Sequence, residues 1–490
     1  MSIAAPAELE GPTRSRAWSR KNLWGRMPSA ARQVVGPLLG VLPQSWLLGR
    51  QFRRTSQFLE QAQWWPHERS RAYQLEQARA LCRIAAKAPF YARMFRECGF
   101  SPEDLQRIED LRGLPTIHRQ TIRENLEDMC AVSPRARGVD YTATGGTSGM
   151  PLHFYIGANR SPIEYAYLVS GWRRAGYDIG ARLAVFKGDP VAKDRSGLHH
   201  EFDAILKRHL YSGFHMGDGW LRRYVEHLRG IGPFYLHGYP STIAALTQYV
   251  RRTGDEPLHN MRGIIAESET VYPHQRRDAE AVFGCRYLSG YGQTEKVVSA
   301  VGCEHTHAYH VWPTYGVFEL IGEDGEPVTT PGAVGEIVGT GFINRVVPFI
   351  RYRTGDYARY VSDRCAACGR EHTLIEEIRG HRLQESLVAK DGSLVPWVAL
   401  NLHDDTFHHV QRLQFYQDTP GRALLRVIPG PGFDDHASSR ILRNLKRKLN
   451  GQLDVTLETV AELSTSARAK AIYVDQRVDL NESEPGSQAS

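Results

Sequence analysis

No stretch of this 490-residue chain is long and apolar enough to read as a membrane span. The most apolar early run, residues 34–49, is broken by Pro37, Pro43, Gln44 and two glycines. It falls short of the roughly 20 residues a spanning helix needs, and it lies behind too many polar residues to be a signal peptide. It reads either as a short helix packed on the body or, helped by Arg14, Arg16, Arg20, Lys21, Arg26 and Arg32, as a peripheral membrane contact. Cysteine is scarce. Seven residues, Cys82, Cys98, Cys130, Cys285, Cys303, Cys365 and Cys368, make a poor disulfide framework, so a reducing cytoplasm is expected. A basic tail is missing too. The 61 Lys and Arg exceed the 54 Asp and Glu by only 7, and they are spread along the chain. That gives no case for nucleic acid, while a mild basic bias suits an anionic small molecule or a membrane surface. Repeats, low-complexity blocks, the usual P-loop pattern and a Ser/His/Asp signature are all absent.

What is present describes a multidomain globular protein. Hydrophobic residues are 41% and charged residues 23%, enough for a real core. Residues 1–16 and 484–490 are expected to lack order. Residues 73–95 carry apolar positions at helical spacing and predict one amphipathic helix. Ser101 reads as the N-cap of a helical turn at Pro102-Glu103-Asp104. From 181 to 350, short apolar runs alternate with helical stretches, the pattern of α/β layers. Residues 314–360 read as antiparallel hairpins, with 346–350 strand-like. After about 380 the pattern restarts as strand, Asp391-Gly392 turn, two strands, a helix over 436–450 and a strand over 454–460, a small α+β unit.

Three motifs carry the chemistry. Tyr141-Thr-Ala-Thr144-Gly145-Gly146-Thr147-Ser148-Gly149-Met150-Pro151 packs glycines and hydroxyls into one turn. Successive N–H groups there can cradle phosphate oxygens; the same composition also suits a plain flexible loop. Ser289-Gly290-Tyr291-Gly292-Gln293-Thr294-Glu295 offers an aromatic face for a purine and a carboxylate for a divalent metal. Arg351-Tyr352-Arg353-Thr354-Gly355-Asp356 places an Asp past a Gly turn, where it can accept two ribose hydroxyls or close an ordinary hairpin.

In this order the three motifs resemble the adenylate-forming superfamily, and more narrowly the phenylacetate-CoA ligase group and its capsule-polysaccharide-associated relatives. The resemblance covers roughly residues 70–478. It includes Ala88-Pro89-Phe90-Tyr91, Leu114-Pro115-Thr116-Ile117, Leu236-His237-Gly238-Tyr239-Pro240-Ser241 and Ser268-Glu269-Thr270. It implies an α/β fold: a large N-terminal body over 71–380 with a β-hairpin or barrel part, and a small mobile α+β C-terminal domain over 381–478. An N-terminal extension over 1–70 and a tail over 479–490 flank them. It implies that Thr144, Gly145, Gly146, Thr147, Ser148 and Gly149 bind ATP phosphates. Ser268, Glu269, Tyr291 and Gly292 would line the nucleotide, Thr294 the α-phosphate, Glu295 would hold Mg²⁺, and Asp356 the ribose. Arg382 matches the hinge arginine, although His381 and Gln384 depart from the hinge pattern. Lys470 matches the catalytic lysine, although Ala469 replaces the usual Gly. Met150 stands where many relatives have Lys.

The reaction so implied is activation of a carboxylic acid, aromatic or related, to an acyl-adenylate, followed by thioester formation with CoA. An amine or hydroxyl acceptor in cell-surface polysaccharide synthesis is the first alternative. A nucleotide-binding scaffold without turnover is the second. In the first step the protein must hold two anions together and stabilise charge on phosphorus, which needs no nucleophilic side chain.

Cys365-Ala-Ala-Cys368-Gly369 is a C-x₂-C knuckle, and Cys303, His305, His307 and His310 lie upstream. Thiolates with imidazole suit a closed structural Zn²⁺ site; the bland reading is unliganded thiols on a hairpin. Similarity to zinc-binding relatives favours Cys303, His310, Cys365 and Cys368, with His305 as substitute. His199-His200 and His408-His409 are tandem pairs. Neighbours on a strand face opposite ways, so neither pair is a natural chelate. His237 reads equally as a pocket residue or a satisfied core histidine. Trp64-Trp65 is expected to pack the N-terminal helix, and Arg440 to Lys448 to form a solvated helix face.

Overall fold

The computed structural model describes residues 43–144, 152–188, 191–380, 386–400, 402, 405–463 and 474–478. Its body is organised by one sheet of 12 strands. Five of them, Tyr287–Gly292, Met261–Ala266, Phe234–Gly238, Arg182–Lys187 and Arg208–Ser212, run parallel in that spatial order. Helices Asp218–Gly230, Pro240–Thr253 and Pro273–Phe283 lie between them in sequence. Each buries its apolar stripe, for instance Ile243, Leu246 and Val250 of Pro240–Thr253. The alternation expected over 181–350 is thus present.

The strand Tyr287–Gly292 is where the sheet changes character. Its first half pairs parallel with Met261–Ala266, and its second half pairs antiparallel with Ser299–Gly302. Beyond it the sheet is antiparallel, ending in Gly316–Ile321, Val334–Gly341 and Tyr352–Ser362. These are the expected hairpins, and they continue the large sheet.

Two details differ from expectation. The helical segment 73–95 is two helices, His67–Ala85 and Pro89–Glu97. Pro89 has no N–H to continue the first helix and occupies the first turn of the second. Residues 346–350 are not a strand. Val346, Val347, Phe349 and Ile350 are apolar because they are buried in an irregular segment of the core. Ser101 does cap Pro102–Asp104, accepting from the Glu103 N–H.

The described part of the expected N-terminal extension is helical. Gly49–Ala62 buries Phe52 and Leu59 with Tyr167 and Trp172 of the helix Arg160–Trp172. Trp65 packs on Phe58 and Tyr73, whereas Trp64 stays half-exposed under the Arg370 guanidinium. The C-terminal unit pairs Val410–Thr419 with Arg422–Pro429, flanks them with Asp454–Thr459 and Val474–Gln476, and packs the helix Asp435–Leu449 on them. Arg443, Lys446 and Arg447 on that helix face solvent. Ile441, Leu445 and Leu449 join a core that also takes in Phe214 and Tyr239 of the body. The unit therefore rests against the carboxyl-end side of the parallel strands.

Candidate active site and thiolate cluster

In open α/β sheets, ligands bind beyond the carboxyl ends of parallel strands. The second motif emerges there. Tyr291 ends its strand beside Ser299–Gly302, and its hydroxyl donates to Asp356 Oδ2 over 2.8 Å. Gln293 Nε2 donates to the same phenol oxygen over 2.6 Å. Burial and the neighbouring Asp356 charge push the Tyr291 phenol well up, so it stays a neutral donor. The second and third motifs thus meet through a side-chain hydrogen bond. The Gly turn expected before Asp356 is instead a bulge within the continuous strand Tyr352–Ser362: Gly355 has φ +76°, a conformation glycine adopts without strain, and its N–H donates to Glu336 over 3.1 Å.

Glu295 is buried, and its Oε1 accepts from the Tyr352 hydroxyl at 2.9 Å and Arg119 Nη2 at 3.3 Å. Tyr352 belongs to the third motif. Arg119 was not singled out from sequence. It arrives because Ile117 bridges to Tyr352, donating to the Arg351 carbonyl and accepting from the Arg353 N–H. Arg351 is structural: buried, it forks onto Glu319 through Nε and Nη2 at 3.1 Å each. Gly292, exposed, ends the strand, and Thr294, half-buried, lies on the turn that leads to Glu295.

Ser268 follows the strand Met261–Ala266 with φ +74°, a costly conformation for a residue with a Cβ. Glu269 accepts from the Ser241 N–H at 2.9 Å and hydroxyl at 3.0 Å, so it ties the loop after Met261–Ala266 to the first turn of the helix Pro240–Thr253. Thr144 closes the base of the first motif. Its N–H donates to the Leu152 carbonyl and its hydroxyl accepts from the Leu152 N–H. Val139–Ala143 and His153–Gly157 pair as an antiparallel hairpin below it. Gly145, Gly146, Thr147, Ser148 and Gly149 lie outside the described residues, as do Arg382 and Lys470.

A second group escaped the sequence reading. Lys187, His237 and Glu267 stand at or just past the ends of three adjacent parallel strands. Glu267 accepts from Lys187 Nζ at 3.4 Å and Trp172 Nε1 at 2.8 Å, and lies 3.8 Å from His237 Nε2. Burial alone would raise the Glu267 carboxyl. Lys187, then His237 and the indole N–H, outweigh it and hold the group below its usual range. Burial and Lys187 push His237 down to about 3, so its ring is neutral at pH 7. Its Nδ1 reaches the Ile265 carbonyl at 3.3 Å. His237 is thus both satisfied and placed at the ligand-bearing end of the sheet. Neither the adjacency of three strand ends nor a Lys–Glu pairing across the sheet leaves a local sequence pattern.

Cys303, His310, Cys365 and Cys368 come together with their ligand atoms all within 4.8 Å of one another. Cys303 Sγ is 3.8 Å from Cys365 Sγ, and Cys368 Sγ is 3.6 Å from His310 Nε2. His305 and His307 are exposed and outside the set. Gly369, at φ +82°, turns the knuckle and donates its N–H to the Cys365 carbonyl. The surroundings fit a metal. Three thiolates with Zn²⁺ leave one net negative charge, and two buried guanidinium groups, Arg174 and Arg370, flank them. Burial pushes Arg174 down to about 9, with repulsion from Arg370 adding to it, while Glu304, then Cys368 and Cys303, pull it up. His310 Nδ1 is buried with no hydrogen-bond partner among the described residues, so this ring lacks the contact from behind that usually orients a metal-bound histidine. Zinc bound to these four would be closed and structural. For Mg²⁺, Glu295 would offer one carboxylate, whose Oε1 is already bonded to Tyr352 and Arg119; a single carboxylate suits an ion held mainly by water and substrate phosphates.

No family model matches the chain. Phenylacetate-coenzyme A ligase of Thermus thermophilus is 24% identical over 417 residues, covering 80% of this chain and 92% of the relative. That of Pseudomonas putida is 28% identical over 298 residues, covering 59% and 66%. Protein CapK of Staphylococcus aureus is 22% identical over 275 residues, covering 56% and 59%. Among solved structures, 2-hydroxyisobutyryl-CoA ligase in the postadenylation state aligns with a TM-score of 0.54 at 18% identity, over 85% of this chain and 92% of that one. The fold is that of the adenylate-forming enzymes. The same ligase, with its acyl-adenylate and CoA in the thioesterification state, aligns equally well, with a TM-score of 0.54. The similarity read from three short motifs therefore extends over most of this adenylate-forming fold, and its curated relatives are phenylacetate-CoA ligases and CapK.

Proposed function

We propose that this chain activates a carboxylic acid with ATP and Mg²⁺ to an acyl-adenylate, releases pyrophosphate, and passes the acyl group to CoA. The observation that carries the reading is the Tyr291–Asp356 hydrogen bond, which joins two motifs of the nucleotide site. Asp356 accepts the ribose hydroxyls and Tyr291 lies along the base. The backbone of 144–149 surrounds the phosphates, with Ser268, Glu269 and Gly292 shaping the wall and Thr294 at the α-phosphate. Glu295 holds Mg²⁺, and Arg119 beside it adds a second positive charge where the phosphates collect. Lys470 stabilises charge on phosphorus as the acid attacks, and Arg382 serves the hinge about which the 381–478 domain moves. Preorganised charge of this kind is worth most in a site that excludes water.

The acid occupies the ends of the parallel strands. Trp172 and His237 offer ring faces there, 4.8 Å apart between centroids, and the Lys187–Glu267 pair offers charge. An aromatic or related acid with a polar substituent suits that wall. Zn²⁺ on Cys303, His310, Cys365 and Cys368 fastens the antiparallel half of the sheet. Among the described residues no helix is long and apolar enough to cross a membrane. All seven cysteines are unpaired, which supports work in a reducing cytoplasm. Arg14, Arg16, Arg20, Lys21, Arg26 and Arg32, on which the alternative reading of a membrane contact rests, lie outside the described residues.

Similarity to CapK supports a second reading, in which an amine or hydroxyl on a cell-surface precursor takes the acyl group. The test is pyrophosphate release with ATP, Mg²⁺ and a panel of carboxylic acids, with and without CoA. Acid-dependent release stimulated by CoA is expected. Release indifferent to CoA would favour the other acceptor. ATP binding without release for any acid would replace both with a scaffold.

A further inference from the structure

We infer that His200, His209 and His227 form a second metal site, separate from the thiolate cluster, that takes one Zn²⁺ through three imidazole nitrogens and leaves a fourth position to water. The three residues lie at the outer edge of the parallel half-sheet. The edge strand His200–Asp203 pairs antiparallel with Arg208–Ser212, with His200 opposite Tyr211 and Phe202 opposite His209. In that register His200 and His209 are diagonal neighbours on one face. Helix Asp218–Gly230 covers this face and supplies His227.

One ligand nitrogen from each ring lies within 4.8 Å of the other two. His200 Nε2 and His209 Nδ1 are 3.1 Å apart. Tetrahedral zinc with bonds of about 2.0–2.1 Å holds its ligand nitrogens roughly 3.3 Å apart, so this pair already stands at ligand spacing. The third ring needs a small rotation to reach it. The three are half-buried, which leaves an entry path.

Two of the rings are oriented from behind, as metal-bound histidines are. His200 Nδ1 lies 3.4 Å from Asp194 Oδ2. Asp194 is itself fixed, because its Oδ1 accepts from the Ser196 N–H, the Ser196 hydroxyl and the Leu198 N–H. His227 Nδ1 lies 2.8 Å from the Tyr211 hydroxyl. With Nδ1–H donated in both rings, each Nε2 keeps its lone pair for a metal. His209 then moves its proton from Nδ1 to Nε2 when the ion replaces the imidazole–imidazole hydrogen bond. Asp194 also supplies the negative charge that a dication among neutral imidazoles lacks.

The tandem-pair argument is correct about His199 and silent about this site. His199 does turn away, with its Nδ1 on the Val191 carbonyl and its ring stacked on His215 at 3.7 Å. The chelate forms from one member of the pair and two residues brought in by the hairpin and the helix. An ion here would tie the edge hairpin to the helix behind it.

The test uses the full-length chain stripped of metal and titrated with Co²⁺, then with Zn²⁺ by calorimetry. Cobalt on thiolates shows sulfur-to-metal charge-transfer absorption; cobalt on imidazoles alone shows only d–d bands. We expect an imidazole-only equivalent that is lost in His209→Gln and in His227→Gln, while the charge-transfer signal is unchanged. Asp194→Asn should retain the equivalent with roughly 10–100-fold weaker affinity. Circular dichroism of the metal-free variants checks folding, and Asp194→Asn decides if the histidine variants do not fold. A wild-type spectrum with no imidazole-only equivalent overturns the inference, as does an equivalent that survives both histidine substitutions. Because the two metals are read separately, the outcome does not depend on the thiolate cluster or on ligase activity.

Discussion

Tyr291 and Asp356, 65 positions apart, share a hydrogen bond of 2.8 Å between phenol and carboxylate. It holds the carboxylate in one orientation, the kind of preorganisation that lowers the cost of binding under the proposed ribose role.

Tyr291→Phe should keep the aromatic ring and lose that order. A hydrogen bond to a charged group contributes about 1.5–3 kcal/mol, so ATP affinity should fall roughly 10- to 100-fold. Asp356→Ala should weaken it at least as much. Titration with a fluorescent ATP analogue measures both, and unchanged affinity in Asp356→Ala would reject the ribose role.

Glu295→Gln retains the shape of the side chain and removes the charge offered to Mg²⁺. Pyrophosphate release should drop by about 10² or more, with a raised Mg²⁺ requirement. Arg119→Ala leaves Glu295 buried with Tyr352 as its remaining hydrogen-bond donor. Breaking a buried pair from one side costs about 3–5 kcal/mol, visible as a lower denaturant midpoint. A midpoint within error of wild type would show that the pair is not structural.

Lys187→Met tests the cluster at the strand ends. In the native protein Glu267 lies below its usual range, so its contribution is present above the unfolded carboxylate value and is lost as pH falls through the folded one. Without Lys187 the leading cause is burial, which raises Glu267 and reverses the sign. The variant should be destabilised by roughly 3–5 kcal/mol at pH 8 and by less near pH 5. Urea unfolding at both pH values measures this. An equal loss at both would remove Glu267 as the cause.

Cys365→Ser should lower both the zinc content and the melting temperature, because metal bound only by the folded chain adds to its stability. Chelation of wild type should reproduce the lower melting temperature. Zinc stoichiometry unchanged in the variant would exclude Cys365 as a ligand.

The strand–helix alternation, the C-terminal α+β unit and the four members of the thiolate cluster could be read from the chain, the last through resemblance. Motifs such as Tyr291 to Glu295 are legible because one strand end carries all their residues. The break before Pro89 is legible in the proline itself, although the apolar spacing runs on across it. Residues 346–350 misled for another reason: burial selects the same Val, Phe and Ile as strand pairing does.

The order of residues alone shows where glycines, hydroxyls and carboxylates cluster in short segments, since such motifs need only neighbouring residues. It also shows the cysteine knuckle, whose two thiols lie three positions apart. Only the tertiary structure decided that Arg119 meets Glu295 across 176 positions, that Lys187 meets Glu267 across 80, and that His200 joins His209 and His227 rather than His199. Those meetings depend on strand order, register and helix docking, which set where side chains of distant segments point. Low-dielectric surroundings then decide which of these charges and lone pairs are strongly felt.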